Sequence, residues 1–200
     1  MRVLVGCEFS GIVRDAFLRR GHDAWSCDLL PTESPGPHIQ GDVLEILEDG
    51  WDMAIFHPPC TYLCSSGLHW NHRVPGRDAL THEAMMFVFN LMGEGSIPHG
   101  IPRIALENPV GRIGTAYRKS DQIIQPWQFG HPESKSTCLW LKGLPLLIPT
   151  NILPLPASGR WANQTPSGQN KLGRSPDRAK IRSLTYTGIG DAMAEQWSDL

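Results

Sequence analysis

Two short stretches carry side chains able to do chemistry. The first is His57-Pro58-Pro59-Cys60, where two prolines fix φ and present one thiol at the end of an apolar run over residues 52–56. The second is Glu107-Asn108-Pro109, which closes another strand-like run beginning at residue 103. A thiolate is a nucleophile, and a carboxyl group beside it can hold or pass a proton. Neighbouring strands lie about 4.8 Å apart, so groups at two adjacent strand ends can face one planar ring. Open α/β sheets bind their ligands at that carboxyl edge. Other readings of these residues stay open. Cys60 suits a buried thiol acting as a small hydrophobe, and Glu107 a capping or loop carboxylate. The spacing Cys60-x3-Cys64-x4-His69-x2-His72, with His57 nearby, is close to that of a zinc site, which would consume the nucleophile.

The elements that must position these groups read as one α/β domain over residues 1–200, with a Pro/Gly-rich basic segment at 151–182. Residues 2–6 have a strand pattern. Residues 12–20 place Ile12, Val13, Ala16 and Phe17 on one helical face before Gly21, and residues 23–27 form a second strand ending at Asp28. Strand, turn, helix, strand, acid is the nucleotide-binding half of a doubly wound sheet, in which the acid bonds ribose hydroxyls. The turn holds only Gly6 and Gly11, so a G-x-G-x-x-G pyrophosphate site is not supported. A third short strand ends near Gly41-Asp42-Val43, and residues 61–77 read as a polar, mobile loop. Leu80, Ala84, Phe87 and Leu91 mark a helix, residues 137–141 a strand, and residues 191–197 a short closing helix.

At 200 residues and 40% hydrophobic content the chain is large enough to bury one real core. The net charge of −2 is unevenly spread: Arg160, Lys171, Arg174, Arg178, Lys180 and Arg182 stand against Asp177 alone, a local +5 that can grip phosphates. Five cysteines, an odd number without a secretion signal, predict reduced thiols. No run of eighteen or more apolar residues occurs, which predicts a soluble, cytoplasmic protein with no membrane partner.

Taken in order, the pieces resemble the C5-cytosine DNA methyltransferase family over most of the chain. The likeness is carried by Cys7-Glu8-Phe9-Ser10-Gly11, Asp28, Gly41-Asp42-Val43, Pro59-Cys60, Ser65-Ser66-Gly67, Leu106-Glu107-Asn108-Pro109 and Gly188-Ile189-Gly190-Asp191-Ala192-Met193. It implies a Rossmann-like S-adenosylmethionine-dependent methyltransferase fold, three-layered around a mostly parallel sheet. The implied reaction moves a methyl group from S-adenosylmethionine to C5 of cytosine in DNA through a covalent Cys60–C6 adduct. C5 is too weak a nucleophile unaided, and a thiolate at C6 makes it enamine-like. A carboxyl group on N3 and the exocyclic amine neutralises the charge that builds on the ring.

By this resemblance the catalytic residues are Cys60, Glu107 and Asn108. The cofactor falls to Cys7, Phe9, Ser10 and Gly11 of the first loop, to Asp28 and Leu29 at the ribose, and to Asp42 and Val43 at the adenine. Pro58, Asp191 and Ala192 complete that set, and no metal is implied. The chain departs from the family at Thr61, where Gln is usual, and at Asp191, where Asn is usual. Glu133-Ser134-Lys135 stands at best for the family's arginine-rich element. The large target-recognition domain is missing, which makes the chain most similar to short phage and prophage members acting in bacterial or phage-infected cells. Nucleic-acid contacts then fall to Lys135, Trp161, Lys171, Arg174, Arg178 and Arg182, with Trp161 stacking on a base. Expected partners are DNA, duplex or single-stranded, and a second subunit. The rival is a non-catalytic nucleic-acid-binding or inhibitory protein on a degenerate methyltransferase frame, or a related C5 modification of DNA or a nucleotide. The Asp-Pro-Pro-Tyr turn of amino-methyltransferases is a weaker comparison, because His57 and Cys60 lack its activating carbonyl and stacking ring.

Overall fold

The computed structural model describes the chain except for Gln169, Arg174, Pro176 and Asp177 and the side chain of Ala179. Seven strands, β1 (Arg2–Gly6), β2 (Asp23–Asp28), β3 (His38–Gln40), β4 (Met53–Phe56), β5 (Ile104–Pro109), β6 (Gln122–Ile124) and β7 (Thr137–Lys142), form one sheet among the described residues. Their order is β3-β2-β1-β4-β5-β7-β6. The strands from β1 to β5 pair in parallel, and β7 runs antiparallel between β5 and β6. After β1 the chain moves outward through β2 and β3, then returns to lay β4 on the other side of β1. That reversal opens a crevice at the carboxyl ends of β1 and β4.

Val3, Leu4 and Val5 of β1 and all four residues of β4 are fully buried, as continuous apolar runs covered on both faces must be. Alternation along β1 divides the core. Val3 and Val5 pack with Phe17 of helix α1 (Ile12–Arg19) and with Met193 and Trp197 near the end of the chain. Leu4 packs on the other face with Val88 and Leu91 from a later helix and with Trp140 of β7. The result is a three-layer, Rossmann-like α/β fold. No helix among the described residues is long and apolar enough to cross a membrane.

Several elements differ from the sequence pattern. Residues 61–77 are not a loose loop: they hold α2 (Ser65–Leu68) and a succession of hydrogen-bonded turns before α3 (Arg77–Leu91). The short β6 and α4 (Ile113–Ala116) have too few residues to show a period. Helix α5 (Arg178–Ser183) ends the segment expected to be irregular. The closing helix α6 begins at Thr187 and runs to Trp197, earlier than its apolar spacing suggests. Gly188 and Gly190 hide its first turn from propensity, yet a Cβ on Gly188 would stand 2.0 Å from the Phe129 carbonyl oxygen.

Candidate active site at the switch point

The ladder between β4 and β1 ends with His57, whose N–H still donates to the Gly6 carbonyl at 3.0 Å. Pro58 and Pro59 cannot continue it. The chain instead makes one helical turn, in which the Cys60 carbonyl accepts from the N–H groups of Leu63 (3.0 Å) and Cys64 (2.9 Å). Three bonds pin this turn to the end of β5. Ser65 N–H donates to the Val110 carbonyl (3.0 Å), Arg112 N–H to that of Leu63 (2.7 Å), and Asn108 Nδ2 to that of Pro58 (2.8 Å). Gly111 permits the approach, because a Cβ there would meet the Leu63 oxygen at 2.0 Å. Cys60 is left half-buried at the head of the turn. Asn108, assigned to catalysis by resemblance, is fully enclosed and holds the turn instead, so its observed role is positioning.

Glu107 precedes Asn108 on β5, and His57 Nδ1 lies 3.2 Å from its Oε2. Burial would push the Glu107 carboxyl up. The hydrogen bond from His57, the charge of Lys135 and a hydrogen bond from Thr137 outweigh it and hold the group below the usual carboxylate range. Glu107 is therefore ionised at neutral pH. His57 Nε2 is buried without a hydrogen-bond partner among the described residues. The thiols of Cys60 and Cys64 form a coupled pair. Cys64 is lowered to about 5, chiefly by the hydrogen bond from Cys60, against burial and with help from Ser66, the Gly67 N–H and Arg182. Cys60 is raised by the same hydrogen bond and by burial.

The other half of the crevice lies at the ends of β1 and β2. Cys7 has φ 59°, the one positive value at a non-glycine residue among those described. Burial raises its thiol, and the charges of Asp28 and Asp42 add to the effect, so both acids converge on this point. Asp28 Oδ1 accepts from Leu30 N–H at 2.9 Å beside Leu29, which is 73% exposed. Asp42 caps the 3-10 turn Val43–Ile46 through Leu44 N–H. Phe9 and Val43 are nearly buried, and Ser10 Oγ donates to Glu8. Gly11, at φ 74°, starts α1 where a Cβ would run into Arg14. Pro58 is buried at the junction of the two halves. The pieces from Cys7 to Pro58 are thus brought to one edge. Asp191 and Ala192 are not: Asp191 pairs with Arg19 on the outer surface of α1 and α6, and Ala192 lies in the core between them.

The sequence reading overlooked Glu8. Its carboxylate is buried and accepts from the first N–H groups of α1, at Val13 (2.8 Å) and Arg14 (3.2 Å). An acid at the mouth of a helix is the signal that would have found it. Burial raises its pKa, and the proximity of His57 works against that rise. Thr137, Thr185 and Tyr186 were also passed over, and with Lys135 they line a small recess against Glu107.

The basic segment is divided by the structure. Arg182 is exposed, and its charge reaches Cys60 and Cys64. Lys180 pairs with Glu33 and lies 5.5 Å from the centre of the Phe9 ring, so α5 lies against the first loop. Lys135 Nζ donates to the carbonyls of Arg182 (3.0 Å) and Leu184 (3.3 Å), fixing the end of α5. Lys171 is exposed, and Arg178 bonds the Gly173 carbonyl. Arg174 lies outside the described residues. Trp161 is a correction: it is 6% exposed and stacks on Trp127 with ring centres 6.3 Å apart, so it presents no face to a base.

No three His, Cys, Asp or Glu side chains converge on a metal position among the described residues. Cys64 contacts Ser66, and His69 lies against Trp70. A cavity of about 460 Å³ opens between α2 and α3 beside Asn71, His72, Thr81 and Phe89, but neither Cys60 nor Glu107 lines it. Fold and site together define a Rossmann-like α/β protein with a thiol pair and an ionised carboxylate at its switch point. The chain matches no protein-family model and no curated protein sequence.

Proposed function

We propose that this protein transfers a methyl group from S-adenosylmethionine to C5 of cytosine in DNA through a Cys60–C6 adduct. The observation that supports it most is that Cys60, on the turn after β4, and the partly buried Glu107, on adjacent β5, stand at the same edge of two neighbouring strands. A nucleophile and an acceptor on neighbouring strand ends suit the addition of a thiolate to a planar ring whose exocyclic amine must be held.

The chemistry of the other half fits the cofactor. Asp28 and Asp42 supply acceptors for ribose and amino hydrogens, and the exposed Leu29 supplies apolar surface for a purine. When bound, S-adenosylmethionine supplies an electrophilic methyl group. Cys60 adds to C6 as its proton passes to the Cys64 thiolate, which the hydrogen bond between the two sulfurs favours. Glu107 accepts from the exocyclic amine, with His57 orienting its carboxylate. Asn108 holds the Pro58 carbonyl and thereby the turn.

A DNA strand carrying 5-fluorocytosine tests the reaction, because fluorine blocks the elimination that frees the enzyme. With cofactor the wild type should form a covalent complex and should transfer labelled methyl groups to ordinary DNA. Cys60→Ala should lose both, and Cys64→Ala should still form the adduct, more slowly. Trapping that depends on Cys64 alone, or no trapping by folded protein that binds S-adenosylhomocysteine, rejects the mechanism.

A further inference from the structure

Residues 61–77, which join the Cys60 turn to α3, contain no Asp or Glu and carry His69, His72, Arg73 and Arg77. Within that stretch the indole of Trp70 is 46% exposed. The Arg73 guanidinium lies 5.7 Å from its ring centre, and the His69 ring lies 4.9 Å away. The backbone that carries the indole is held in turns: Trp70 N–H donates to the Gly67 carbonyl at 3.1 Å, and the Trp70 carbonyl accepts from the N–H groups of Arg73 and Val74 at 2.9 Å each. Arg77 is engaged elsewhere, over the Tyr62 ring and on the Thr61 carbonyl. Arg73 takes part in no ion pair among the described residues. Burial accounts for most tryptophans in this fold, and it does not account for this one.

We infer that Trp70 and Arg73 form a stacking platform for an unpaired base of single-stranded DNA beside the target cytosine. This rests on the reading of the switch-point site as a DNA-modifying centre. An exposed indole with a cation at its face suits a base and its phosphate. The acid-free stretch around it matches the charge of a strand. Bases inside a duplex already have both faces covered by their neighbours, so the platform favours single strands. It offers few groups for reading base edges in a groove, and so carries little sequence preference.

Fluorescence anisotropy with a short labelled oligonucleotide, single-stranded and then annealed, tests this without cofactor. The wild type should bind the single strand more tightly. Trp70→Ala should weaken that binding about tenfold with little change for the duplex, and Trp70→Phe should recover most of it. Arg73→Ala should reduce the slope of log affinity against log salt by about 0.7 on single strands. No binding by the wild type, equal affinity for both forms, or an unchanged Trp70→Ala overturns the platform. A chain that binds through Trp70 yet traps no 5-fluorocytosine keeps the platform and loses the proposed reaction. An adduct formed by Trp70→Ala with undiminished affinity does the reverse.

Discussion

Removing the Asn108 side chain separates positioning from chemistry. Its Nδ2 donates to the Pro58 carbonyl at 2.8 Å from a residue only 1% exposed. Leaving a buried carbonyl without its donor costs about 1–3 kcal/mol. Asn108 Oδ1 is itself buried with no hydrogen-bond partner among the described residues, so its removal returns part of that cost. The net loss for Asn108→Ala is then about 1–2 kcal/mol, a fall in melting temperature of about 2–8 °C for a chain of this size. The functional loss should be larger, because the same bond fixes the turn that carries Cys60. A displacement of about 1 Å at a reacting group costs about 100-fold in rate. Melting followed by circular dichroism measures the first effect, and the rate of 5-fluorocytosine trapping below the transition measures the second. Affinity for S-adenosylhomocysteine should hold, since Asp28 and Asp42 lie on other strand ends. Unchanged melting and trapping would refute the assignment. A parallel fall in cofactor affinity would make Asn108 a general packing residue.

Two further outcomes follow from side chains near and far from the crevice. The hydrogen bond between the two thiols favours the thiolate on Cys64, so iodoacetamide should label it before Cys60, and Cys64→Ala should move the pH midpoint of Cys60 labelling downward by removing the hydrogen bond that raises it; peptide mass spectrometry across pH reads both, and prior labelling of Cys60 contradicts the pairing. Trp161→Ala should destabilise the protein by about 3 kcal/mol through loss of a buried ring, while nucleic-acid affinity in the folded range stays put; reduced affinity at unchanged stability would return Trp161 to the binding surface.

The strands that build the crevice were legible because they are short, continuous and apolar, and a Pro-Pro pair announces where β4 must stop. Cys60 and Glu107 could be placed at strand ends for the same reason. What the pattern could not carry was side-chain direction across distance. His57 reads as a metal-ligand candidate until β5 brings Glu107 to it, and Asn108 reads as a reacting group until its amide is seen on Pro58. Composition also suggested an exposed ring where the structure buries one. Trp161 sits in the basic segment, but a tryptophan among prolines and glycines still has a large apolar surface to bury, and Trp127 takes it. Trp70 lies in a stretch of lower charge and was passed over, although its nearest apolar neighbours in sequence, Leu68 and Val74, are too few to enclose it.

The ionised state of Glu107 sets a condition on how a cytosine can enter. A carboxylate only accepts hydrogen bonds. It suits the exocyclic amine of cytosine, which donates, but it opposes N3, which accepts. A single proton between Glu107 and N3 removes the conflict, and because His57, Thr137 and Lys135 keep the free protein from holding that proton, it must be taken up when the base binds. Affinity for a flipped or unpaired cytosine should therefore fall about tenfold for each unit rise in pH near neutrality, in the direction that proton uptake requires. An amide presents one donor and one acceptor, so Glu107→Gln can match N3 and the amine with no proton. Its binding should lose the pH dependence and exceed that of the wild type at high pH, while trapping slows because the amide has no acidic proton to give N3 as negative charge builds on the ring. The comparison is a strand with 5-fluorocytosine at the target position against the same strand with an abasic site there, so that phosphate contacts cancel. A pH profile shared by wild type and Glu107→Gln would remove Glu107 from contact with the base.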